Sequence, residues 1–98
     1  MVPGLNNNFK YKNMVFHIQT EDTGSKGYQV VTHLYLKGTI IASKKTYYGD
    51  AKSSPELNEL VKELIEKQHK KMLIELSKGI YDQKIREIMN GQVWKCLL

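Results

Sequence analysis

The segment Tyr28-Gln-Val-Val-Thr-His-Leu-Tyr-Leu-Lys-Gly-Thr-Ile-Ile-Ala-Ser-Lys-Lys-Thr-Tyr-Tyr48 constrains the fold more than any other part of this chain. Two runs rich in β-branched and aromatic residues flank a single Lys37-Gly38 break, the pattern of a tight antiparallel hairpin. A two-residue loop at Lys37-Gly38 sets Leu36 opposite Thr39, Leu34 opposite Ile41, His33 opposite Ala42 and Val30 opposite Lys45. Upstream, Met14 to Thr20 alternates, with Met14, Phe16 and Ile18 on one side and Val15, His17 and Gln19 on the other. That is a half-buried strand. The turn-rich Glu21–Gly27 loop joins it to the hairpin, with closure near Thr20 and Tyr28 placing Ile18 beside Val30 and Met14 beside Leu34.

Ser53-Ser-Pro-Glu56 carries the signals of a helix start. An apolar stripe follows through Leu57, Leu60, Val61, Leu64, Ile65, Met72, Leu73 and Leu76, and Gly79 is placed to end the helix in a left-handed cap. Asp82 begins a second, short helix with Ile85, Ile88 and Met89, closed by Asn90-Gly91. Residues 1–13, with Pro3-Gly4 and the Asn6–Asn8 run, show no apolar period and are expected to be a mobile lead-in. The expectation is therefore one α+β domain over residues 14–98: a three-stranded antiparallel meander packed by one long helix, then a short C-terminal helix (β-β-β-α-α). At 98 residues one modest core is expected.

The meander divides its side chains between two faces. Met14, Phe16, Ile18, Tyr28, Val30, Leu34, Leu36 and Ile41 form the face expected under the helix. The other gathers Val15, His17, Gln19, Val31, His33, Tyr35, Ile40, Ala42, Lys44, Thr46 and Tyr48, a mixture too apolar for plain solvated sheet. Val15, His17, Val31, His33, Tyr35, Ile40 and Ala42, with Trp94 from the apolar tail, are the expected interaction surface for a protein partner or a second copy of the chain.

Net charge supplies an alternative. The formal charge is +5. Residues 1–52 hold seven lysines against Glu21, Asp22 and Asp50, whereas residues 55–78 balance five lysines with five glutamates. Arg86 is the sole arginine, so nucleic-acid contact would neutralise phosphates without reading base edges. Lys44, Lys45, Tyr47 and Tyr48 interleave cations and rings as single-strand binders do, with only Lys44–Tyr48 and Lys45–Tyr47 sharing a face.

His17 and His33 fall diagonally on the second face and are the candidates for a metal or haem site. No cysteine or carboxylate joins them there, so the expectation is no metal and no cofactor. His69 belongs to the helix stripe and points inward. Glu21-Asp22 reads as a turn former, and Gly24-Ser-Lys-Gly27 lacks the spacing of a phosphate loop and precedes a strand. Nothing places a nucleophile beside a base, and the chain is expected to be non-catalytic. The lone Cys96 fits a reducing, cytoplasmic setting. No run is long enough to span a membrane, so a soluble protein without membrane contact is expected.

The blocks Val15-Phe-His-Ile-Gln-Thr-Glu-Asp22, Thr32-His-Leu-Tyr-Leu-Lys-Gly-Thr-Ile-Ile-Ala-Ser-Lys-Lys45 and Gln68-His-Lys-Lys-Met-Leu73 resemble a small family of uncharacterised bacterial proteins. The resemblance covers roughly residues 14–82 and implies no activity, substrate or site.

Overall fold

The computed structural model describes the backbone of residues 2–97 and the side chains of residues 2–90. It is an α+β arrangement of four strands and two helices, with β1 (Leu5–Tyr11), β2 (Met14–Asp22), β3 (Gln29–Leu36) and β4 (Thr39–Tyr47) in spatial order 1-2-3-4, all antiparallel. A 3-10 turn at Gly49–Ala51 leads to α1 (Leu57–Ser77), and α2 (Asp82–Leu97) follows.

The sheet has one strand more than the sequence suggested. Residues 5–11 are not a loose lead-in but pair along β2, from Leu5 opposite Thr20 to Tyr11 opposite Met14. Lys12 (φ 50°) and Asn13 (φ 63°) turn the chain between them. Both are left-handed, the geometry of a two-residue hairpin turn, here built without glycine. The second hairpin uses the same device at Lys37 (φ 51°) and Gly38 (φ 80°), with Leu36 opposite Thr39 as anticipated.

The expected register holds for one pair more and then fails. Tyr35 faces Ile40, yet Leu34 faces Ala42, so Ile41 is an extra residue that bulges β4. Every later partner moves by one: His33 faces Ser43, Thr32 faces Lys44 and Val30 faces Thr46. The β2–β3 pairing also differs, because β2 continues to Asp22 and sets Ile18 against Leu34. Here Asp22 accepts the Gly24 N–H at 2.9 Å and closes the loop later than Thr20.

α1 covers the sheet face bearing Phe16, Ile18, Val30, Leu34 and Leu36, each at most 1% exposed. It begins two residues later than the serine–proline signature suggests. Ser54 Oγ accepts the Glu56 N–H at 3.2 Å, stabilising the turn ahead of the helix. The C-terminus ends as anticipated, with Gly79 at φ 80° and the Ile80 N–H reaching back to the Glu75 carbonyl at 3.2 Å. α2 continues past Asn90-Gly91, where a stop was expected. A single helical glycine costs only about 0.5–1 kcal/mol. Trp94 and the rest of the apolar tail have side chains outside the described residues.

The core splits into two apolar clusters. One joins Phe16, Ile18, Leu34, Leu36 and Ile41 to Met72, Leu76 and Ile85; the other joins Val30 and Tyr48 to Val61 and Ile65. Between them lies a polar layer. Gln68 shares its amide N–H groups among the Val30 carbonyl (3.0 Å), Thr32 Oγ1 (3.1 Å) and the Lys44 carbonyl (3.1 Å), and its oxygen accepts the Thr46 hydroxyl. His69 Nδ1 lies 2.8 Å from Thr20 Oγ1, which lies 2.7 Å from Thr32 Oγ1, and His69 Nε2 lies 2.8 Å from Asn7 Oδ1. Since the Asn7 oxygen can only accept, Nε2 carries the proton. The chain then runs in one direction, Gln68 to Thr32 to Thr20 to His69 to Asn7, and satisfies a neutral imidazole at both nitrogens. Burial lowers the His69 pKa, agreeing with the neutral form.

Candidate binding surfaces

The second sheet face is open: α1 packs on the opposite side, and no other described element crosses this one. Cross-strand pairing orders its side chains into rows. Lys10 stands beside Val15. Asn8, His17, Tyr35 and Ile40 form the next row, followed by Asn6, Gln19, His33 and Ser43. A fourth row sets Glu21, Val31 and Lys45 side by side, and Gln29 with Tyr47 closes the face. Val15 (60%), Ile40 (47%) and Tyr47 (61%) are the most exposed of its apolar and aromatic groups.

At the centre three rings touch. Tyr35 lies 6.1 Å from His17 and 5.8 Å from His33, centroid to centroid. Each imidazole is also tied to a neighbour across the ladder, His17 Nδ1 to Asn8 Oδ1 at 2.9 Å and His33 Nδ1 to Ser43 Oγ at 2.7 Å. These bonds orient the rings against Tyr35. His69 is on the other side of the sheet, so the three histidines do not converge. Among the described residues no group of three or more His, Cys, Asp or Glu is placed to hold a metal ion.

Of the residues expected on this face, Val15, His17, Gln19, Val31, His33, Tyr35 and Ile40 share it. Ala42, Lys44, Thr46 and Tyr48 do not. The Ile41 bulge reverses the parity of β4, so these four turn toward α1 and Ser43, Lys45 and Tyr47 take their places outside. Ala42 packs half-buried at the edge of the larger cluster. Tyr48 is 6% exposed, and its hydroxyl donates to the Asp22 carboxylate. Burial, then that hydrogen bond, push the Tyr48 phenol up to about 12. Burial alone would raise Asp22, but hydrogen bonds from Tyr48, Gly24 and Val2 hold it below the usual carboxylate value. This pair is cement between the β2–β3 loop and the end of β4. Of the anticipated cation–ring pairs, only Lys45 with Tyr47 lies on the open face.

Lys44 has a different surrounding. Its ammonium meets Glu75 at 2.7 Å, and Glu75 also accepts the Tyr81 hydroxyl at 2.6 Å. The Lys44 and then the Tyr81 hydrogen bond lower the Glu75 pKa. Beside this pair, the β4 edge and α1 enclose a groove of about 400 Å³ lined by Lys44, Lys45, Thr46, Leu64, Lys67, Gln68 and Lys71. The helix contribution to this groove went unread in the sequence, where Gln68 is not counted in the apolar stripe of α1. Gln68 sits three residues after Ile65 and four before Met72, which is the position of an inward side chain.

No protein-family model, curated protein or solved structure matches this chain. Among the described residues no helix is long and apolar enough to cross a membrane.

Proposed function

We propose that this chain is a non-catalytic interaction module that pairs with a second copy of itself through the open sheet face. One observation carries the reading: the uncovered face sets Glu21 and Lys45 on either side of Val31 in a single row. A twofold axis beneath β3 then apposes each Glu21 to Lys45 of the other copy. The same axis sets Val31, His33 and Tyr35 against their own equivalents and packs Ile40 on His17. Isologous contact of this kind needs a self-complementary patch, which the row supplies. Strands of seven to nine residues at about 4.8 Å spacing give a face on the order of 20 by 25 Å. That footprint suits the smaller class of specific interfaces. Two such faces stacked about 10 Å apart form an ordinary sheet sandwich, with the helices outside.

Light scattering tests this directly. The parent is expected at twice its formula mass at tens of micromolar. Glu21→Lys or Lys45→Glu alone should give folded monomers, since each places like charges together twice per dimer. The double swap should restore the dimer. A parent that stays at its formula mass, or a double swap that remains monomeric while both single variants dissociate, would rule out this pairing.

A further inference from the structure

We infer that the groove between the β4 edge and α1 is a binding site for the phosphate groups of a polyanion. It lies around the strand edge from the open face and shares only Lys45 with it, so Lys67 and Lys71 stay available when the faces pair. Cations from two elements converge on it: Lys45 from β4, and Lys67 and Lys71 from α1, one helical turn apart. Among the described residues Lys45 and Lys71 have no ion-pair partner, whereas Lys67 meets Glu63 at 2.7 Å. That pair is exposed on both sides (73% and 59%), so it is held weakly and exchanges readily for a phosphate. Lys44 is different again. Its ion pair with Glu75 is mostly shielded and neutralises it, so it forms part of the wall without being a ligand.

The neutral polar groups of the groove are already engaged. The Thr46 hydroxyl goes to Gln68, and the Gln68 amide serves Val30, Thr32 and Lys44. Among the described residues no aromatic ring lines the groove to stack a base. What remains on offer is three mobile ammonium groups, which read the density of negative charge and no finer feature. The ligand is therefore a run of adjacent phosphates, whether a free polyphosphate chain or the backbone of a nucleic-acid strand.

The test is a titration of the ¹⁵N-labelled full chain at low ionic strength, first with inorganic tripolyphosphate and then with a thymidylate oligonucleotide. Amide shifts should cluster at residues 44–46 and 64–71. Lys67→Gln with Lys71→Gln should weaken binding roughly tenfold and lower the slope of log affinity against log salt by about two. The control pair Lys62→Gln with Lys70→Gln, exposed on α1 but outside the groove, should leave affinity unchanged. Shifts from tripolyphosphate alone identify free polyphosphate as the source; matching shifts from the oligonucleotide identify a nucleic-acid backbone. Absence of binding by both probes overturns the site. So do shifts spread evenly over the lysines, or a control pair that weakens binding as much as the groove pair. Lys45 is untouched in these variants, so the oligomeric state reports independently on the open face.

Discussion

The two faces of this sheet are made from alternate residues of the same strands, and they are organised differently. On the covered face, Phe16, Ile18, Leu34 and Leu36 meet Met72 and Leu76, and the polar atoms of Thr20, Thr32, Gln68 and His69 bond to one another. On the open face, contacts among the described residues stay within the sheet, across the ladder as in His17–Asn8 and His33–Ser43 or along a strand as in His33–Tyr35. Side chains on the first face answer to a second layer fixed from the distant helix. Those on the second answer to adjacent strands and solvent. The difference teaches that one strand can be strict at its even-numbered residues and permissive at its odd-numbered ones, as in β2 and β3, and the clearest tests set the two side by side.

Phe16→Ala should cause the largest loss. The ring is fully buried and lies 6.2 Å from Tyr11, so truncation removes transfer energy and leaves a cavity. A cost of about 3–5 kcal/mol is expected by denaturant unfolding. A value below about 1 kcal/mol would mean that the covered face is not closely packed.

Gln68→Ala comes next, because one amide ties four strand positions together across the layer between the clusters. Its removal leaves the Thr46 hydroxyl and the Val30 and Lys44 carbonyls short of partners, at about 1–3 kcal/mol. Gln68→Met should be milder if shape matters more than these bonds. Equal losses in both variants would show that the hydrogen bonds set the cost.

Much of this arrangement was legible in the sequence, and the gaps have physical causes. The Lys37-Gly38 turn, the alternation of β2 and β3 and the stripe of α1 each appear in the structure, save that Leu60 of the stripe is exposed. β1 was hidden because Asn6, Asn7 and Asn8 have low strand propensity and its hairpin turn, Lys12-Asn13, lacks glycine. β4 was read with the wrong parity because it is written in doublets. Ile40-Ile41, Lys44-Lys45 and Tyr47-Tyr48 each offer the same residue to both faces, so alternation says nothing about which one turns inward. The bulge at Ile41 decides it, sending Lys44 to Glu75 and Tyr48 to Asp22. Consequently the open face was legible in its β2 and β3 members and in Ile40, and illegible in β4 past the bulge. The lysine groove depends on that same reversed strand and on the inward turn of Gln68.

Acidity sharpens the contrast further. His69 has a lowered pKa through burial, so the native state resists a proton that the unfolded chain accepts near pH 6.5. As pH falls below that value the unfolded state binds more protons, and stability declines with pH from there down to the native pKa. Protonated Nδ1 must donate to Thr20, which reverses the hydroxyl chain and leaves Thr32 a proton without an acceptor. Unfolding free energy measured between pH 7 and 5 should therefore fall, and His69→Gln should flatten the slope. Asp22, held low, acts in a separate window, its contribution being lost only below about pH 4. An unchanged slope in the His69 variant would assign the pH dependence elsewhere.

The smallest effect belongs to Val15, the chain neighbour of Phe16. Its side chain is 60% exposed and stands beside Lys10 at the end of the open face, outside the Glu21–Val31–Lys45 row. Val15→Thr preserves the β-branch and hence the strand preference. It exchanges a methyl already in contact with water for a hydroxyl that water satisfies. Stability should change by no more than about 0.5 kcal/mol, as for surface substitutions generally. If the twofold axis runs beneath β3, Val15 lies at the periphery of the paired faces, and the solution mass should not change either. A loss of more than about 1 kcal/mol that grows with protein concentration would place Val15 inside the interface and move the axis toward β2. The same loss without concentration dependence would mean that something within the chain covers this end of the sheet.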